Sequence, residues 1–371
     1  MRVPVSQLYT LKNFSYFFLL SVFVFAFLMM MINLLQIVNE GILRGFSFYF
    51  LSKSLVYLLP SILSMSLPVS FLMAILLSLG QMSGEGEIMA LRAGGFSFRE
   101  ILSPILVFAA FLILFLFALN NWYGPKYLKR SSDYVQVMAS RVTRFEITPK
   151  TFHRISAWEV YADRVQKRAG LLKDVKLFRR VTKKDSPAWI FRISADEGSY
   201  HVIKDKGILL KLKNGQFSRA DVSNRDELMY GRFSSYTTLI PFFSSNDTER
   251  KIHPREMSTL KLFRELSGKE LSAESSARCK IEITSRFSLM LTPAMFFLIG
   301  APLGLIFEKK SKGMGFSISL LIIFAYYGLT MFSMVLAKKT SFFMPGIIFA
   351  PLLAGTIAGV FIWRRRLGDK E

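Results

Sequence analysis

Long apolar runs without a single charged residue alternate with shorter polar segments along this chain. No Asp, Glu, Lys or Arg falls between Lys12 and Glu40, Lys53 and Glu85, or Glu100 and Lys126. The same holds between Arg286 and Glu308, Lys312 and Lys338, and Lys339 and Arg364. Each interval exceeds or matches the roughly 20 apolar residues that cross a hydrocarbon core about 30 Å thick. Helices buried in a large soluble core would keep charges on an outer face, and these have none, so the pattern predicts six membrane-spanning helices. They group as three, a long polar stretch, then three. The expected division is 1–123 for the first three spans, 124–284 for an extramembrane domain, and 285–371 for the last three spans and a basic tail. The first run is longer than the 7–15-residue core of a signal peptide, and no small-x-small site follows "MMMINLLQIVNE", so a retained helix is expected.

Within 124–284 the period changes from continuous to alternating. In "GILLKLKNGQFSRADV", Leu210 and Leu212 alternate with Lys211 and Lys213, and Asn214-Gly215 then reads as a hairpin turn. "WIFRISADEGSYHVI" alternates Phe191, Ile193 and Ala195 with Arg192 and Ser194, "DKG" at 205–207 marks another turn, and "EVYADRV" and "DVKLFRRV" add two strand candidates. Short strands separated by turns predict an antiparallel sandwich or roll. After them, Met257, Leu260, Phe263 and Leu266 recur at helical spacing, predicting a helix that leads back to the bilayer.

Composition agrees with this segregation: 51% of residues are hydrophobic, with 36 Phe and 17 Met, yet 20% are charged. The short segments decide orientation by their Lys and Arg content. One side holds Arg2, Lys12, Arg92, Arg99, Lys309, Lys310, Lys312, Arg364, Arg365, Arg366 and Lys370; the other holds Arg44, Lys53, Lys338 and Lys339. Both termini and the 80–101 segment are therefore expected in the cytoplasm and the strand domain outside, since long translocated domains escape the charge rule. The basic excess of that domain then fits acidic lipid headgroups or phosphates rather than nucleic acid.

Chemistry of the enzymatic kind is sparse. No glycine-rich segment ends in Gly-Lys-Ser/Thr, and neither a nucleophile elbow nor a His-Glu-x-x-His pattern occurs. A single cysteine, Cys279, excludes an intramolecular disulfide framework, and His153, His201 and His253 lack ligand spacing, so no metal or other cofactor is expected. The apolar runs carry no ionisable group of the kind that ion-coupled transporters use at membrane depth. Asn33, Asn120 and Asn121, near span ends, read as interhelical glue more readily than as catalysts.

The segment "GQMSGEGEIMALRAGGFSFREI" (80–101) stands between the second and third spans. It fails as a phosphate loop, because Glu85 and Glu87 sit among the glycines and no lysine follows. Ser83 can cap a helix start, with Glu85 and Glu87 in its first turn. Ile88 and Leu91 share a face, and Arg92 precedes the Gly94-Gly95 stop. A short amphipathic helix near 83–95 follows, and the residues alone leave two roles open: a solvated connector, or a helix that docks into a groove on a soluble partner.

"LLSLGQMSGEGEIMALRAGGFSFREILSPIL" resembles the region after the second span in the LptF/LptG (YjgP/YjgQ) permease family, through Gly80, Glu87-Ile88, Arg92-Ala93-Gly94-Gly95-Phe96-Ser97 and Pro104. The similarity extends to "NNWYGPKYLKRSS", to "ISADEGSYHVIKDKGILLKLKNGQF" and to "SRFSLMLTPAMFFLIGAPLGLIFEKKSKGMGFSISL". One departure is "PKTFHRI", where the family often has a Gly-Val-Phe-like entry to the strand domain. The resemblance implies a multi-pass α-helical protein of the bacterial inner membrane, with six transmembrane helices and an inserted all-β, jelly-roll-like periplasmic domain. It implies a non-catalytic permease that exports lipopolysaccharide with a companion LptF/LptG permease. An LptB-like ATPase dimer would bind the ATP, and LptC-like and LptA-like proteins would receive the lipid. It implies ATPase coupling through Glu87, with Glu85, Ile88, Leu91 and Arg92 completing the docking surface. Substrate contacts vary in the family; Arg44, Lys53 and Lys338 are the candidates here. An ion-coupled lipid transporter and a structural envelope scaffold are the alternatives.

Overall fold

A computed structural model of the chain describes residues 5–42, 48–140, 148–155, 158–166, 170–183, 186–203, 207–221, 228–241, 252–268, 273–306, 314–339 and 344–367. Among these, α1 (Val5–Ile42), α2 (Phe48–Gly84), α3 (Glu87–Ala93) and α4 (Phe98–Ala118) come first. A π-helical turn (Leu119–Tyr123) joins α4 to α5 (Gly124–Ser140). Six strands follow: β1 (His153–Ile155), β2 (Trp158–Gln166), β3 (Leu171–Lys183), β4 (Ser186–Ile203), β5 (Gly207–Asp221) and β6 (Leu228–Pro241). The chain closes with α6 (Thr259–Ser267), α7 (Ala273–Ile306), α8 (Met314–Lys339) and α9 (Met344–Leu367). Six helical rods are long and apolar enough to cross a membrane, one in each charge-poor interval that the sequence marks. The protein is a multi-pass membrane protein with an inserted β domain.

The chain divides into two compact units, one holding most of the helices and the other the strands with residues 35–54 and 132–140. In the helical unit α2 is the central post: 83% of its apolar window is buried within the chain, against 11% for α1. Glycines let its neighbours come close. Gly300 and Gly304, four apart on α7, face Leu72, Ile75 and Leu79 of α2, and Gly315 of α8 meets the Leu76 carbonyl. Gly355 and Gly359 of α9 repeat the spacing against Met295 and Leu298 of α7. In lipid, where water no longer drives apolar association, this close small-residue packing supplies the van der Waals contact. α1 is held at Phe14, whose ring meets Phe71 and Phe108 edge-on at 5.6 and 5.1 Å.

The strand unit is an antiparallel sheet in sequential order, β1 to β6. It closes on its own apolar face by a transverse bend. Pairing lapses at one position in four successive ladders, along the line Asp163, Asp174, Asp196, Asn214 and Ser234. Across that line the inward residues are three apart instead of two: Val175 and Leu172, Ala195 and Gly198, Gly215 and Leu212. Two successive outward residues turn each strand, and the two halves share one core from Trp158 to Ile240. This explains why Asn214-Gly215 is no hairpin. It lies inside β5, with Asn214 at φ 49°, and a Cβ on Gly215 would come 2.6 Å from the Ser194 carbonyl. An Asn-Gly pair supplies a left-handed residue, which a bent strand needs as much as a turn does. Of the turn expected at 205–207, residues 205 and 206 lie outside the described residues; Ile203 pairs with Gly207 beside them.

Candidate coupling surface and bundle cavity

Two residues, Glu85 and Gly86, separate α2 from α3. The intervening Gly86 takes φ 79° and stands at the N-cap position, and its carbonyl accepts from Ala90 N–H. Ser83, expected as the cap, is instead the penultimate residue of α2, where its buried hydroxyl donates to the Leu305 carbonyl of α7 at 3.2 Å. The backbone continues helically because the bundle supplies that acceptor, and only Glu87 remains in the first turn of α3. The C-terminal stop is where the glycines place it: Gly94 and Gly95 close the helix, Gly95 at φ 91°. Ser97 and Glu100 then form a reciprocal capping box that starts α4.

The two faces of α3 do different work. Ile88 is buried in the bundle core and Leu91 packs against it, so the apolar stripe fastens α3 to its own protein. Facing out are Glu85, Met89, Ala90, Arg92 and Ala93, with Met89 64% exposed and the Arg92 guanidinium 4.1 Å from the Phe98 ring centroid. Gln81 donates to Glu85 Oε1 at 2.9 Å. Glu87 sits between the faces. The Tyr9 hydroxyl of α1 donates to its Oε1 at 2.6 Å, while its Oε2 is buried and lacks a hydrogen-bond partner among the described residues. Buried carboxylate oxygens without donors are costly and therefore uncommon.

At the opposite end of α2 the helical unit has an open cavity of about 400 Å³. Met29, Leu58, Met65, Leu128, Met331 and Met334 give it an apolar wall, interrupted by Asn33, Asn120, Tyr326, Tyr327, Arg255, Glu282 and Arg286. Arg286, only 5% exposed, makes four hydrogen bonds. Its Nε donates to Glu282 Oε1 at 3.0 Å, its Nη1 to Thr259 Oγ1 at 3.0 Å, and its Nη2 to the carbonyls of Pro254 and Arg255, each at 3.2 Å. Thr259 in turn donates to the Asn121 amide oxygen. Asn120 accepts from Ser64 of α2 at 2.6 Å. These amides are side-chain bridges between elements, whereas Asn33, among the described residues, donates to Met29 of its own helix.

A model of the family described as the lipopolysaccharide export system permease LptF/LptG matches residues 8–365. The chain belongs to this family. A search of curated proteins finds no match. Membership makes the chain a lipopolysaccharide export permease, and the residues matched include α3 and every residue that lines the cavity.

Set in an LptF/LptG permease, the expected site residues fall in separate places. Glu85, Glu87, Ile88, Leu91 and Arg92 lie together on and beside α3, with the division of faces given above. Lys53 is half-buried, its ammonium 5.1 Å from the Tyr134 ring and 5.7 Å from that of Tyr49, and it does not line the cavity. Lys338 is exposed near the end of α8. Arg44 lies outside the described residues. Among the described residues, the cations that line the cavity are Arg255 and Arg286. Periodicity treated Arg286 only as the border of an apolar run, yet α7 starts at Ala273 and carries Glu282 and Arg286 on the same rod. The i,i+4 spacing of Glu282 and Arg286 was the available signal. Tyr9 carried none, because its partner is 78 positions away.

Proposed function

We propose that this permease works without chemistry of its own, transmitting the stroke of a separate ATPase into its bundle through α3. The observation that carries the proposal is Glu87: one carboxylate oxygen is held by Tyr9 and the other is buried with no donor among the described residues. Displacement of α3 by a docked ATPase would bring that oxygen within reach of a cationic or N–H donor, which would complete it with a charge-assisted bond. Met89, Ala90 and Ala93 offer a small apolar surface beside it, and Ile88 and Leu91 pass displacement of α3 to the core. In this reading α3 and both termini lie in the cytoplasm and the strand unit in the periplasm of a bacterial inner membrane.

The cavity supports the second half of the reading. Its Met, Leu and Tyr walls suit acyl chains, whose burial stabilises by about 0.8 kcal/mol per CH₂. Arg255, paired to Glu282 at 3.7 Å but with a 67% exposed side chain, remains accessible to a phosphate at the edge. A companion permease would complete the lipid-binding chamber. The released lipid would pass to the strand unit and on to LptC-like and LptA-like proteins, by pairing at the free edge of β6.

The test is lipid release from proteoliposomes containing the chain, its companion permease and the ATPase. Glu87→Arg should leave the complex assembled while uncoupling ATP hydrolysis from release. Intact coupling in that variant would remove Glu87 from the mechanism. Release that persists without the ATPase would favour ion coupling, and release insensitive to both changes would leave only a scaffold.

A further inference from the structure

α6 presents an apolar arc that its own protein covers only in part. With each residue advancing about 100° round a helix, Leu262, Leu266, Thr259, Phe263 and Leu260 fall within one arc of roughly 160°, which also holds Ser267, whose hydroxyl donates to the Phe263 carbonyl at 3.1 Å. Its first half is spent inside the protein: Leu262 is fully buried and Leu266 packs beside it against Cys279, Ile283 and Phe287 of α7. The second half is bare, with Phe263 48% and Leu260 66% exposed. Next round the helix come Arg264 and Lys261, both exposed. The order is therefore protein core, bare apolar surface, cations.

The depth of α6 is set by what it is tied to. Its first residue, Thr259, bonds to Arg286 on α7 and to Asn121 on the π-helical turn. Asn121 is followed by Trp122 and Tyr123, which are 51% and 56% exposed, as in the aromatic belts of spanning helices. Arg286 is the last charge on α7 before its uncharged run. Cys279, against which α6 rests, lies about 10 Å farther along the helix at 1.5 Å per residue. That places α6 beside the headgroup layer.

We infer that α6 is an interfacial helix whose Leu260 and Phe263 enter the apolar boundary of an anionic phospholipid leaflet while Lys261 and Arg264 pair with its phosphates. Charge complementarity and continuity with the membrane-spanning α7 select lipid as the occupant of the bare arc. The helix thereby anchors the segment that returns the chain from the strands to the bundle.

The test uses the full chain with its companion permease in nanodiscs of phosphatidylethanolamine and phosphatidylglycerol. Nitroxides at Leu260→Cys, Phe263→Cys, Lys261→Cys and Arg264→Cys report collision with oxygen, which favours lipid, and with a nickel chelate, which favours water. The expected result is a severalfold higher oxygen-to-nickel ratio at 260 and 263 than at 261 and 264. Equal ratios at all four sites would overturn the inference. So would exclusion of both probes at 260 and 263, which would mean that protein covers the arc. A second measurement needs no substitution: phosphatidylglycerol carrying a photoactivatable group near its headgroup should label the peptide containing 259–267, and absence of that label would count against the proposal.

Discussion

Replacing Arg286 with Met keeps an unbranched apolar stem and removes the guanidinium, leaving four acceptors without their donor: Glu282, Thr259 and the carbonyls of Pro254 and Arg255. Breaking a buried ion pair by removing one member costs about 3–5 kcal/mol. The lower end applies here, because Arg255 stays within 3.7 Å of Glu282 and Thr259 keeps its bond to Asn121. Three of the four lost bonds tie residues 254–259 to α7, so the loss falls on the docking of that segment. At 1.4 kcal/mol per factor of ten, amide exchange in 252–268 should accelerate about a hundredfold, while exchange in the centre of α2 changes little. Hydrogen exchange read by mass spectrometry on the purified protein measures both at once. Arg286→Lys should fall between, since an ammonium keeps the charge but cannot reach all four acceptors from one point. Unchanged exchange in 252–268 of Arg286→Met would refute the view that this arginine is the tie between segment and bundle.

Tyr9→Phe keeps the ring and removes the donor to Glu87; lipid released per ATP should fall severalfold with the complex intact. Combined with Glu87→Gln it should add little further, whereas independent, multiplying losses would show that the two residues do not act together. Gly359→Ala should destabilise more than Gly355→Ala. A Cβ at 359 meets Leu298 backbone carbon at 2.9 Å, while at 355 it meets the flexible end of Met295. A cost of about 1–3 kcal/mol is expected at 359, read as a lower midpoint in thermal unfolding. Ser97→Ala removes the capping box of α4 and should cost about 1 kcal/mol in the same assay, with Ser97→Asp recovering most of it.

Much of the architecture is legible in one dimension because lipid and β-pleat each impose a period. A span must be uncharged for its whole length, and a half-buried strand must alternate, so helices and strands stand out in the residue order. Local signals were correct where they depended only on neighbours, as at the Gly94-Gly95 stop. They misled where a distant partner decided. Asn214-Gly215 has the backbone of a turn, but β4 and β6 pair on either side of it and hold it as a bend. Ser83 has the chemistry of a cap, but Leu305 of α7, 222 positions away, takes its hydroxyl. Ile88 and Leu91 form the stripe expected of a docking helix, and the bundle claims it. The helical spacing of Met257, Leu260, Phe263 and Leu266 is real, yet α7 covers Met257, Leu262 and Leu266 and leaves Leu260 and Phe263 outside.

For this protein, residue order alone marked the six segments apolar enough to cross a membrane, the segments of β2 to β5 but not β1 or β6, and a short helix carrying Glu87 between the second and third spans. Those properties follow from solvation, which each segment meets by itself. Only the tertiary structure decided which carboxylate oxygen of Glu87 is left without a donor, which cations reach the cavity, and which half of the arc on α6 stays bare. Each of these depends on hydrogen bonds or packing between side chains on different elements, and their geometry exists only once the helices and strands have met.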